Sequence, residues 1–337
     1  MILDRISLDH GSGGKLSHDL MEKMIRPAFD NDALNAGDDG AILEMGVRRL
    51  AFSTDTFVVD PLFFPGGNIG DLAVNGTVND LAMCGAVPRY LSAGFVIEEG
   101  FSKDALATIV ASMRQAADQA GVQIVTGDTK VVPRGAADKL FINTSGIGVL
   151  PEPVRLSGAY ARPGDRIIVS GTLGDHGAAI YTTREGMAFD TPLTSDTAAL
   201  NHLVKKMVTA AGDHIHVLRD PTRGGLATSL NEIALQSGTG IRIQEDQVPV
   251  KQAVSGICAL LGLDPFYLAN EGKLIAIVEE SGVDTVLGIM RDDSLGRDAA
   301  VIGDVLPHTV GKVTMVTRIG GERFLDMLTG DQLPRIC

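Results

Sequence analysis

Apolar positions in this chain fall in short runs broken by Gly, Pro and polar clusters, and strand-like and helix-like periods alternate. Apolar or period-two runs predict strands at Arg49–Ser53, Tyr90–Ile97, Gln123–Thr126 and Leu140–Leu150. Between them, Ile69, Leu72, Ala73 and Leu81 recur at helical intervals, so a helix is expected over Gly67–Met83. Ser102 caps a second helix running to Ala120, with Leu106, Ile109, Val110 and Met113 on one stripe.

Pro151, Pro153 and the run Ala161-Arg162-Pro163-Gly164-Asp165 interrupt this pattern and mark a domain junction. Beyond it, strands are expected at Arg166–Ser170, Lys273–Val278, Ala300–Ile302 and Lys312–Val316. Helices are expected at Asp175–Arg184, Asp196–Ala211, Gly225–Gln236, Pro249–Leu261 and Val283–Arg291, with Pro249 suited to a first turn. Phe95–Glu99 leads through a helix to Gly127-Asp128, and Ala276–Glu280 leads through another to Gly303-Asp304. That echo fits two related halves, or equally the general likeness of βαβ units. Glu322–Leu328 has room for two helical turns. Gly330 and Pro334 end them and leave an extended, mobile tail. The class is α/β (α+β), divided as 1–150, 151–318 and a tail over 319–337.

The 337 residues allow roughly two domains and a sizeable core without staples. The formal charge of −13 argues against nucleic acid and anionic membranes as main partners. It leaves a nucleotide open, because a bound Mg²⁺ reverses the sign of a site locally. There is no Trp for a base-stacking platform, and apolar runs such as Leu274–Val278 are far short of the ~20 residues of a membrane span. No basic-then-apolar leader is visible at Met1–Gly14. The three cysteines, Cys84, Cys258 and Cys337, form no C-x-x-C pair and read as thiols of a reducing cytoplasm.

Several residues could carry chemistry. His10-Gly-Ser-Gly-Gly-Lys15, with Gly13 and Gly14, could lay backbone N–H groups on phosphate, although Asp9 and Leu16 break the Walker pattern. Asp38, Asp39, Asp55, Asp80 and Asp128 stand at element ends, with Asn75 one turn before Asp80 and Lys130 beside Asp128. Mg²⁺ prefers such oxygen ligands, yet any single Asp is equally a turn or cap residue. Arg219-Asp-Pro-Thr-Arg-Gly-Gly225 could bind an anion through Arg223 or be a tight turn, and Asn270-Glu-Gly-Lys273 is similarly open. His214 and His216 read as a surface pair without a third metal ligand. Cys337 stands out as a thiol on a tail, the arrangement of a tethered carrier that swings a sulfur-bound group into a site.

Together these segments resemble the HypE carbamoyl dehydratases of hydrogenase maturation. The likeness rests on His10–Gly14, Ala51–Asp55, Asp60–Gly70, Val125–Lys130, Val169–Gly177, Asn270–Lys273 and Pro334-Arg-Ile-Cys337, and so runs through the whole chain. Those proteins sit within the ATP-binding family of aminoimidazole ribonucleotide synthetase, selenophosphate synthetase and thiamine-phosphate kinase. The resemblance implies two α/β domains and a homodimer, with Mg-ATP bound mainly by the first domain near the dimer contact. It implies that a carbamoyltransferase, HypF, loads carbamoyl onto Cys337. The carboxamide is then phosphorylated by ATP and dehydrated to a thiocyanate, whose cyanide passes to iron on a HypC–HypD complex. By motif match, Asp55, Asp80 and Asp128 would hold Mg²⁺ and phosphates, with Asp38, Asp39, Asn75, Gly13 and Gly14 also nucleotide-binding. Lys130 and Glu271 would lie beside the entering tail, Glu271 as proton acceptor. Two other readings stay open: a small-molecule ATP-dependent synthetase or kinase, and a scaffold that only presents its tail. Gly11–Leu16 lacks the reactive residue of selenophosphate synthetase, which disfavours that member.

Overall fold

The computed structural model describes residues 14–20, 22–23, 38, 41–45, 48–187, 193–328, 330 and 333–337. After α1 (Lys15–Leu20), the first half contains β1 (Ala41–Met45), β2 (Arg48–Phe57), β3 (Phe63–Phe64), β4 (Gly67–Asn68) and α2 (Ile69–Met83). It continues through β5 (Val87–Glu98), α3 (Lys103–Ala120), β6 (Gln123–Val132) and β7 (Leu140–Val149). Its sheet has the order β1-β2-β7-β5-β6, antiparallel except for β5 beside β6.

Both helices start and stop for local reasons. Asn68 and Asp71 form a reciprocal capping box on α2. Ser102 caps α3, and Gly121 ends it at a φ of 70°. Helix α2 is buried nearly all round because it lies between the first sheet and the second half. Its Ala82 and Met83 belong to a core shared with residues beyond 150. Asn79 fastens the junction: its amide donates to the Ala198 and Glu271 carbonyls, and its oxygen accepts from the Leu200 amide.

The second half contains β8 (Arg166–Val169), α4 (Asp175–Arg184), α5 (Asn201–Ala211), β9 (Ile215–Arg219), α6 (Gly225–Ser237) and β10 (Gly240–Gln244). Then come α7 (Gln252–Leu261), β11 (Ile275–Val278), α8 (Val283–Arg291), β12 (Ala300–Leu306), β13 (Val313–Val316) and β14 (Glu322–Phe324). The sheet order is β14-β13-β10-β12-β8-β11-β9. Ile167 and Val169 face a core with Leu226 and Leu230 of α6, whereas Ile168 faces one with Met207 of α5 and Met290 of α8. Burial on both faces explains why β8 and β11 read as unbroken apolar runs.

Most predicted elements are present, several with moved ends. Helix α5 starts at Asn201, since Asp196 and Thr197 are held outside it by side-chain bonds from Lys273 and, across the junction, from Asn75. Pro249 lies outside α7, which begins after Lys251. Glu322–Leu328 is not helical. A turn closed by Thr317 and Gly321, with Gly320 at a φ of 84°, folds Glu322–Phe324 back along β13. The internal echo is only partial. Strands β5 and β6 are neighbours, whereas β8 lies between β11 and β12.

Candidate active site

The tail is seated in this structure, in contrast to the free segment expected from Gly330 and Pro334. Leu333, Ile336 and Cys337 are buried in a core to which both halves contribute, from Phe57 and Leu72 to Ile180 and Val254. The Cys337 carbonyl accepts from the Val58 amide at 3.0 Å, and the Arg335 carbonyl from the Asp60 amide at 3.2 Å, so the tail extends the pairing at the end of β2. Arg335 adopts a φ of 55°, pairs with Asp138 and donates to the Val58 carbonyl at 2.8 Å. Apolar anchors and a paired backbone, neither visible in composition, hold what was expected to move.

The seat brings Cys337 to Arg223. Arg223 Nη2 lies 3.1 Å from Cys337 Sγ. Gly224 and Gly225, at φ of 80° and 60°, let the chain turn directly from Arg223 into α6. A side chain on Gly225 would collide with the Phe266 and Leu268 carbonyls at 2.6 Å. Burial pushes the Cys337 thiol up to about 11, partly offset by the Arg223 guanidinium. The sulfur therefore sits here as a thiol at neutral pH.

Glu271 completes the group. It is buried, and its Oε1 has no hydrogen-bond partner. Burial, then the nearby Asp55, Asp220 and Asp196, hold its pKa well above the usual carboxylate range, with Arg223 opposing. Its amide donates to Asp196, which also pairs with Lys273 at 3.1 Å. Asp55 is likewise raised by burial, against its bond from the Thr56 amide and the charge of Arg223. One guanidinium thus stands among the sulfur, a neutral-leaning carboxyl and further acids, an environment suited to proton movement at a sulfur-borne group.

The other predicted residues are dispersed. Asp80 on α2 accepts from Ser53 Oγ at 2.6 Å, two residues before Asp55 on β2. Asn75 donates to Thr197 Oγ1 at 3.1 Å and lines a cleft of about 500 Å³ with Asp71, Ser112 and Gln119. Asp38 accepts from Ser157 Oγ and the Gly158 amide, both at 3.0 Å. Gly14 is buried next to Lys15, whose amide donates to the Leu328 carbonyl. Gly13 and Asp39 lie outside the described residues.

Asp128 and Lys130 stand apart from Asp55 within one chain. The cross-sheet row from Asp55 passes through Thr144 and Ala93 to Gly127. Asp128 is the next residue on β6, so it points to the opposite face, about 14 Å away at three strand spacings. It pairs instead with Lys130 at 2.8 Å, both exposed. Within one chain the trio Asp55, Asp80 and Asp128 is not gathered. Among the described residues no group of three His, Cys, Asp or Glu is placed to hold a metal ion. The histidine pair differs as well: His216 is buried against Asp165 at 2.7 Å, while His214 faces Glu279.

Sequence reasoning gave Arg223 only as an isolated anion-binding candidate and assigned nothing to His176, Arg184 or Asp138. The one available signal was the Gly-Gly pair after Arg223, which marks a forced turn. Cys84 and Cys258 are buried thiols as expected.

Two α/β halves around a buried Cys337 thiol match known families. The AIR synthase related N-terminal domain matches residues 37–150, and the C-terminal domain matches residues 162–316. A relative named "Carbamoyl dehydratase HypE" from Rhizobium leguminosarum bv. viciae is 54% identical over 333 residues, 99% of this chain and 95% of the relative. A crystal structure of hydrogenase maturation protein HypE in complex with ATP superposes with a TM-score of 0.84 at 53% identity, covering 99% of this chain and 100% of that one. A HypE–HypF complex gives a TM-score of 0.88 at 49% identity over 92% of this chain and 99% of that one. The chain belongs to the carbamoyl dehydratase HypE family of AIR synthase related proteins.

Proposed function

We propose that this chain is an ATP-dependent carbamoyl dehydratase that converts a carbamoyl group on Cys337 to a thiocyanate and so supplies cyanide for the iron of a [NiFe]-hydrogenase. The observation that carries the reading is the buried Cys337 sulfur beside Arg223 and Glu271. A relative of this chain was crystallised with ATP, and another in complex with HypF, which supports ATP as co-substrate and a HypF-type carbamoyltransferase as loading partner.

The chemistry follows from a poor leaving group. The carboxamide oxygen attacks the γ-phosphorus of ATP, and ADP leaves. Both N–H protons then depart as the carbon–oxygen bond breaks, giving S–C≡N and phosphate. Glu271 ionises and accepts a proton once a cationic group, such as the iminium formed on phosphorylation of the carboxamide oxygen, enters beside it. Arg223 anchors the sulfur and offsets the charge of a phosphorylated carboxamide. Residues 1–150 act as the nucleotide-binding and dimerisation domain, 151–318 as the second domain, and 319–337 as the carrier tail.

Asp55 and Asp80, carboxylates on the facing elements β2 and α2, fit the oxygen demand of Mg²⁺, with Asp38, Asp39, Asn75, Gly13 and Gly14 as further nucleotide contacts. The ion would offset phosphate charge. Edge strand β6 exposes Val125 and Val131, at 58% and 67%, and fits the contact of a homodimer. In such a dimer Asp128 and Lys130 would serve the site of the neighbouring copy. The cyanide would pass to a HypC–HypD complex, in the cytoplasm. No described helix is long and apolar enough to cross a membrane.

The test is mass spectrometry of the C-terminal peptide after incubation with the carbamoyltransferase, carbamoyl phosphate and ATP. A carbamoyl adduct that becomes a thiocyanate on Cys337 is expected. An adduct on Cys84 or Cys258, or one that persists in Cys337→Ala, overturns the carrier assignment.

A further inference from the structure

The carbonyls of Pro334, Arg335, Ile336 and Cys337 are all held. Arg184 Nη1 donates to the Pro334 carbonyl at 2.7 Å, and Nη2 to the Arg335 carbonyl at 2.8 Å. The same guanidinium donates through Nε and Nη2 to the Asp60 carbonyl at 2.8 and 2.6 Å. His176 Nε2 donates to the Ile336 carbonyl at 2.7 Å, and its Nδ1 accepts from Ser195 Oγ at 2.7 Å. Ser195 is fixed in turn, because its Oγ accepts from the Thr197 amide and its own amide donates to the Pro65 carbonyl. The Phe64 ring stands at right angles to the imidazole, 5.6 Å between centroids, and full burial favours the neutral imidazole, as the two bonds require.

We propose that Arg184 and His176, about two turns apart on α4, are positioning residues that read the tail by its backbone carbonyls and so set where the Cys337 sulfur stands. Neither touches the sulfur. They fix the register of a short extended segment, in which a slip of one residue moves the sulfur by about 3.3 Å. A misplacement of ~1 Å at a reacting atom is enough to lower a rate about a hundredfold. The planar fork of Arg184 joins three carbonyls at once, a task that a lysine ammonium on a flexible stem does not reproduce. Side chains add burial through Leu333 and Ile336, but the register is set by the main chain.

The proposal rests on the dehydratase reading for its catalytic consequence, and the experiment has one arm that does not. In that arm, wild type, Arg184→Gln and Arg184→Lys are exposed to iodoacetamide without substrate, and adducts at each cysteine are followed by mass spectrometry. Arg184→Gln is expected to speed alkylation of Cys337 about tenfold, as the loss of charge-assisted bonds implies. Cys84 and Cys258 stay protected, and Arg184→Lys does not restore full protection. His176→Gln, which keeps a donor and an acceptor, retains protection, whereas His176→Phe loses it. Equal Cys337 rates in wild type and Arg184→Gln, or parallel acceleration of all three cysteines, overturn the proposal. In the second arm, single-turnover dehydration of carbamoylated Cys337 at saturating ATP falls about tenfold in Arg184→Gln, with ATP affinity and carbamoyl loading unchanged. An unchanged rate there overturns the positioning role. Failure of wild type itself to form thiocyanate overturns the dehydratase reading, and the alkylation arm still decides the latch.

Discussion

Arg223 and Cys337, 114 residues apart in sequence, meet with a guanidinium nitrogen 3.1 Å from the sulfur. The guanidinium is what moderates a thiol otherwise raised by burial and by Glu271 and Asp55. Arg223→Gln is expected to move the Cys337 titration above about 11 and to lower thiocyanate formation about a hundredfold. The pH profile of Cys337 alkylation and a single-turnover assay check both. An unmoved profile would show that the guanidinium does not act on the sulfur.

Glu271→Gln imitates the protonated carboxyl that burial favours. The tail is expected to dock as in wild type, with Cys337 still shielded from alkylation, while thiocyanate formation falls by about two orders of magnitude. Retained dehydration would remove Glu271 from the proton path.

Tail docking is expected to weaken in alkali. The undocked thiol titrates near 9.0 and the docked one at about 11, so docking favours the protonated sulfur. That contribution is fully present below pH 9 and is lost as pH rises toward 11. Tryptic cleavage after Arg335 should speed up as pH rises above 9 in wild type, relative to a Cys337→Ser variant. Identical profiles in the two proteins would contradict the linkage.

Burial acts on Asp71 in the same direction. Its pKa is raised from 3.8 to about 6, chiefly by burial, with Oδ1 unpartnered while Oδ2 caps α2. The fold favours its protonated form, so this contribution is present below pH 3.8 and lost as pH rises through about 6. Asp71→Asn keeps an acceptor for the cap and removes the charge. A rise in Tm of about 2–5 °C at pH 7.5 is expected by calorimetry, with no gain at pH 4. A lower Tm at pH 7.5 would contradict the assignment.

Edge strand β6 supplies the test of assembly. Val125→Asp with Val131→Asp should turn a dimer into a particle of 35.4 kDa by light scattering. If wild type already scatters at that mass, β6 is not a homodimer contact.

The elements were legible because their cues are local. Ser102 and Gly121 bound α3, and the apolar runs of β8 and β11 declare strands buried on both faces. The fate of Glu322–Leu328 was not, because its helical spacing is overridden by pairing with β13, a non-local event. The site was half legible. Cys337 and Glu271 carry chemistry in their residue types, and the structure unites them. Asp128 looked equivalent to Asp55, yet strand order and the pleat separate the two, and neither can be counted along the sequence. Arg184 and His176 act on main-chain carbonyls, which leave no mark on the tail's side chains.

Because Leu333 and Ile336 belong to the hydrophobic core, release of the sulfur is an act of local unfolding. Each side chain drawn into water forfeits about 1.5–3 kcal/mol of burial. A partner that gives Leu333 and Ile336 apolar contact lowers that cost. Departure of the thiol therefore costs the burial of two side chains as well as the main-chain bonds from Arg184 and His176.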